Sequence, residues 1–127
     1  MITEDYVSFE TAKLLKEKGF DEPCECFYDT EHNDISIVNG WMDTSNSLLE
    51  EREFLCYSAP TLQMAMKWLR EVHSLWCEIS WEGKGLWCME VFSLMDEEFI
   101  PDSIVHEIKS YEEACEAAIK YCLENLI

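Results

Sequence analysis

The chain has 127 residues, enough for one ordinary domain with a real hydrophobic core. Nine basic residues face 27 acidic ones, for a formal net charge of −18, and the acidic excess runs through both halves. A field of that sign repels phosphate backbones and anionic headgroups. Direct nucleic-acid binding and membrane docking are therefore disfavoured, while a basic protein or a divalent cation remains compatible.

The N-terminal MITEDYVSFE is acidic and lacks the basic and apolar regions of a secretory signal. SFETA, at Ser8 to Ala12, then opens the first helix, predicted over 9–18. A serine at the N-cap accepts from the free amides of the first turn, and acidic residues there suit the helix dipole. Gly19 can take the left-handed conformation that ends a helix, with Phe20 folding back on Leu15 as in a Schellman motif. Alternation with period two predicts strands over Cys24 to Asp29, Ile35 to Trp41 and Glu53 to Tyr57. Residues 43–51 read as a loop.

TLQMA repeats the opening grammar after Pro60 and starts a helix over 62–74. Leu62, Ala65, Met66, Leu69 and Val72 share its apolar face. LWCEISWEGKGLWCMEV follows as a hairpin around a three-residue Gly83-Lys84-Gly85 loop. That register pairs Trp81 with Trp87 and Ile79 with Met89 on a face turned to the helices, and Glu78 with Glu90 and Trp76 with Phe92 on the outer one. Residues 95–102 read as a loop, and Ser103 to Ile108 as a last strand. SYEEA, at Ser110 to Ala114, begins the third helix, over 111–125, with Ser110 and Glu113 forming a capping box. Cys115 and Cys122 fall there on one apolar stripe with Ala118 and Ile119, which assigns them to the core rather than to a site.

The order α-β-β-β-α-β-β-β-α describes a single α+β domain over residues 1–127. It is an antiparallel sheet of about five to six strands with three helices packed on one face. The seven cysteines are odd in number and contain no CxxC pair, so they read as reduced thiols of a cytoplasmic protein.

Three places can carry chemistry. On the outer hairpin face, Glu78 and Glu90 are paired carboxylates suited to acid–base work or a cation, and Trp76 with Phe92 suggests a covered surface or an interface. The turn DTEHND offers Asp29, Glu31, His32 and Asp34 as weak metal ligands, without the spacing or glycine of an EF-hand loop. Cys24 and Cys26 share one side of a strand and, with His32, make three zinc ligands without a fourth. His73 reads as structural at the end of the second helix. His106 stands in the last strand apart from any cysteine or serine motif. The chain contains no GxSxG, HExxH, P-loop or GxGxxG motif, and nothing in it calls for a cofactor.

SFETAKLLKEKGFDEPC, APT…KWLREVH and SYEEACEAA together resemble a group of small proteins of gut anaerobes, their phages and their mobile elements, for which no activity is known. The resemblance implies a bacterial cytoplasmic setting and carries over no site residue. The reading that results is a non-enzymatic accessory protein that binds a protein partner or itself. A metal-dependent or small-molecule activity on the outer carboxylates is the alternative. Mimicry of nucleic acid against a DNA-binding protein is a further one.

Overall fold

A computed structural model describes residues 1–30, 36–39, 44–51 and 56–127. The chain divides into two units, Met1–Thr61 and Leu62–Ile127, each with helices and an antiparallel sheet. The α+β class is as the sequence pattern indicates. The described strands, however, form two sheets rather than one, because alternation shows which residues share a face but not which strands pair.

In the first unit, α1 (Phe9–Glu17) begins at Ser8, whose side chain accepts from the Thr11 amide. It ends as predicted. Gly19 sits at φ 92°, its amide donates to the Lys16 carbonyl (3.2 Å), and the Phe20 amide donates to the Leu15 carbonyl (2.9 Å). Those are the two bonds of a Schellman motif, and they bury both Phe20 and Leu15. β1 (Cys26–Asp29) lies between β2 (Ser36–Asn39) and β3 (Cys56–Ser58), antiparallel to both. Phe9 of α1 packs edge-on against Tyr28 of β1 and Tyr57 of β3.

A fourth helix, α2 (Asn46–Glu51), replaces part of the loop expected at 43–51. Its reason is the buried Asn46 side chain. The amide nitrogen donates to the Phe20 carbonyl (2.8 Å), and the amide oxygen accepts from the Ser58 backbone (2.9 Å). A buried amide satisfied on both sides fixes the local backbone. The TSN run at 44–46 is the helix-start signal that the loop reading passed over.

In the second unit, α3 (Leu62–His73) buries Leu62, Ala65, Met66 and Leu69 as expected, and Trp68 besides, while Val72 is 56% exposed. The apolar face is thus turned toward Trp68 at the helix's C-terminal end. β4 (Leu75–Gly83) and β5 (Leu86–Ser93) form the hairpin in the anticipated register: Trp76 opposite Phe92, Glu78 opposite Glu90, Ile79 opposite Met89, Trp81 opposite Trp87. The connection is shorter than predicted. Gly83 pairs with Leu86, so Lys84 and Gly85 alone make the turn, both at positive φ, and the register slips at Glu82. Two central residues at positive φ define a type I′ turn, whose twist matches the strands, and the slip is a β-bulge.

Beyond β5 the sheet continues through β6 (Glu98–Phe99) and β7 (Val105–Ile108), which share its second edge. The expected loop at 95–102 therefore contains a two-residue strand. β4 is an edge strand among the described residues. α4 (Tyr111–Asn125) starts at Ser110, which accepts from the Glu113 amide (3.0 Å). It buries Ala114, Cys115, Ala118, Ile119, Cys122 and Leu123, and Ala114 and Ala118 pack on Met89 of the sheet. The two small residues let the helix approach the strands closely.

None of the seven cysteines is in a disulfide. Cys115 and Cys122 are fully buried, as the stripe required, with the Cys122 sulfur 3.9 Å from that of Cys77. Burial pushes the Cys115 thiol up to about 11. Trp87 meets Tyr111 edge-on, but its partner Trp81 is 68% exposed. Trp81 shares the face of Trp87 by register, but it stands near the turn on a strand that is at the edge among the described residues, and so stays exposed. No described helix is long and apolar enough to cross a membrane.

Candidate functional site

The outer face of the second unit's sheet collects most of the unusual side chains. Because Met89 and Val91 of β5 point into the core, Cys88, Glu90 and Phe92 point away from it. On β4 the same face carries Trp76, Glu78 and Ser80.

At one end lie the aromatics. Phe92 meets Phe99 of β6 edge-on, with ring centroids 5.7 Å apart. The neighbouring strand therefore partly covers it. Trp76 is 37% exposed. Its indole N–H donates to a Glu78 carboxylate oxygen at 2.6 Å, and the Arg70 guanidinium lies over its ring at 5.6 Å. Trp76 thus joins an anion and a cation on a rigid strand. An open groove of about 170 Å³ runs along the helix side of β4, lined by Gln63, Met66, Arg70 and Tyr111 of the helices and by Cys77 and Ile79 of the strand, with Trp76 and Glu78 at its rim. The Gln63 side chain donates to the Tyr111 hydroxyl (3.1 Å) across it.

In the middle, Glu78 and Glu90 face each other directly, as the register required. The two carboxylates are neighbours on the sheet, and Glu78 is the one of the pair that borders this groove.

At the hairpin end, three strands bring Glu82, Cys88 and His106 together. Each offers one ligand atom, and the three atoms lie within 4.8 Å of one another. Two bulges make this possible. The slip at Glu82 re-aims that side chain from β4. On the other side of β5, Trp87 pairs with Ile108 and Met89 with Val105, so Cys88 faces two residues, His106 and Glu107. Glu107 takes φ 59° to fit. The Glu82 carboxylate then spans Cys88: one oxygen accepts from the Glu107 amide (2.9 Å), and the other is 2.8 Å from His106 Nδ1. These bonds, the Glu107 amide first, hold the Glu82 carboxyl below its usual range. Cys88 is only 6% exposed although it points away from the core. Burial, then the charges of Glu82 and Glu90, push its thiol up.

This cluster is what sequence reasoning missed. His106 lies 18 positions from Cys88, and only the β5–β7 pairing with its bulge brings them together. The turn candidates fare differently. Asp29 ends β1, where a carboxylate oxygen lies 4.0 Å from the Cys56 sulfur. Glu31, His32 and Asp34 lie outside the described residues. Cys24 donates to the Glu22 carbonyl, and Cys26 is buried beside Tyr6, whose hydroxyl that contact pushes up to about 12. His73 ends α3 edge-on to Trp68, with Nε2 buried and without a hydrogen-bond partner among the described residues.

Compared with protein-family models, with curated proteins and with solved structures, the chain gives no match. What can be said of its class is therefore what the fold shows, an acidic α+β protein with two antiparallel sheets.

Proposed function

We propose that this chain is a non-enzymatic protein-interaction module of the bacterial cytoplasm, and that the outer face around Trp76, Glu78, Glu90 and Phe92 docks a basic protein partner. The observation that supports it is Trp76, presented on a strand between Arg70 and Glu78 at the rim of an open groove. Tryptophan and arginine are the residue types that most often anchor interfaces. The partner's sign follows from charge. A second copy would set the Glu78–Glu90 carboxylates of one molecule against those of another, whereas a basic surface complements them. An odd number of cysteines without a CxxC pair fits a reducing compartment, and the resemblance to small proteins of gut anaerobes and mobile elements fits a bacterial one.

The test compares wild type with Trp76→Ala as baits in a bacterial lysate, then titrates the purified captured protein against both. The expected partner is positively charged and binds more weakly as salt rises. Trp76→Ala should lose roughly 30-fold in affinity, the scale of an anchoring aromatic. Two results overturn the reading: the same proteins held equally by both baits, or a concentration-dependent homodimer that Trp76→Ala abolishes.

A further inference from the structure

We propose that Glu82, Cys88 and His106 form a binding site for one divalent cation of the zinc class, with a fourth coordination position left to water. The site lies at the hairpin end of the same sheet and rests on residues other than Trp76, Glu78, Glu90 and Phe92.

The donor set decides the metal. Thiolate and imidazole are soft to borderline ligands that suit zinc, while magnesium and calcium call for oxygen alone. Zinc bonds of about 2.0–2.3 Å put tetrahedral ligands roughly 3.3–3.8 Å apart. Ligand atoms within 4.8 Å of one another reach that spacing by side-chain movements of about an ångström, without rebuilding a strand. The three side chains stand on three adjacent strands, so the sheet supplies the rigidity. The Glu107 amide already orients the Glu82 carboxylate, the kind of outer support that metal ligands use. On binding, Cys88 releases its proton to solvent, His106 coordinates as the neutral ring, and no electrons are transferred.

The same residue types also make a nucleophilic cysteine with a histidine base and an orienting carboxylate. Two features favour the cation. Cys88 is 6% exposed, and its sulfur lies 3.8 Å from the Met89 carbonyl, so it is not presented to a substrate. It also stands mid-strand, where its own backbone serves the sheet rather than an oxyanion.

The experiment is a titration of the full chain with Co(II), followed by competition with Zn(II). One equivalent should bind with a thiolate-to-cobalt charge-transfer band, and Zn(II) should displace it. Cys88→Ser should abolish the band. His106→Gln should weaken binding beyond the roughly 100-fold that losing a supporting hydrogen bond costs, and Glu82→Gln by at least about 10-fold. Cys24→Ser should change nothing. His106 and Glu82 are exposed, so their variants remain informative if Cys88→Ser fails to fold, which circular dichroism would show. A wild type without the band, a band that survives Cys88→Ser in a folded protein, or binding indifferent to His106→Gln overturns the proposal. The last two results assign any bound metal to other thiols or to the acidic surface.

Discussion

The directly opposed pair Glu78–Glu90 allows a sharp test of the sheet register, because each carboxylate should repel the other. Side chains directly across an antiparallel pair have Cβ atoms about 5 Å apart. Two charges roughly 6 Å apart repel by about 0.7 kcal/mol in a water-like dielectric, and by more where the protein excludes water. Both residues are half-buried, so a cost of about 0.5–1 kcal/mol is expected, at the upper end of cross-strand pair energies. The perturbation is a double-mutant cycle of Glu78→Gln, Glu90→Gln and the two together, which cancels the separate loss of the Trp76–Glu78 hydrogen bond. Urea unfolding at pH 7 and low salt reads the stabilities. Neutralising either residue removes the repulsion once, and neutralising the second adds no further relief. The double variant should therefore be less stable than the sum of the single effects by about 0.5–1 kcal/mol, and the coupling should shrink in high salt. A coupling of zero, or one of attractive sign, would refute the reasoning and with it the pairing of these two residues.

Gly19→Ala should destabilise by about 1–2 kcal/mol in the same assay, since no atom lies within 4 Å of the added methyl and only the left-handed backbone resists it. Ile119→Ala, at a fully buried position on α4, should cost about 2–5 kcal/mol. Native-state alkylation should modify the part-exposed Cys24 and Cys77 well before the buried Cys115 and Cys122, read by mass spectrometry; equal rates would contradict the buried stripe. Nuclear magnetic resonance should find Glu82 titrating below an ordinary glutamate. Its contribution to stability is full above the unfolded value and is lost as pH falls through the folded one. His106→Gln should restore the value only in part, because the Glu107 amide is the larger cause.

Local grammar was legible in the sequence because its causes are local. Ser8, Gly19 and Ser110 act within one helical turn, and each stands at the helix end it signals. The hairpin register was also legible, because a single choice puts Ile79, Met89 and Val91 on the core side, and a slip of one would expose them all. What escaped the sequence depends on contacts between distant segments. Asn46 begins a helix because it bonds to Phe20 and Ser58. β3 pairs with β1, a choice that alternation leaves open. The Glu82–Cys88–His106 cluster depends on two bulges, and a bulge in β7 has no signature in a segment without glycine. Trp76 stands opposite Phe92 and Glu78 opposite Glu90 as the register required, but the groove bordered by Trp76 and Glu78 needs Gln63 and Tyr111 from separate helices.

β4 has a consequence for the protein in concentrated solution. An edge strand presents a row of backbone donors and acceptors to which another chain can add itself. Here that strand carries Glu78 and Glu82 and is kinked by the bulge at Glu82, which are two of the devices by which natural sheets deter such zippering. The carboxylates are thus guards as well as candidate contacts. Acidification toward neutral net charge would disarm them and open Leu75–Gly83, an edge among the described residues, to pairing with another chain.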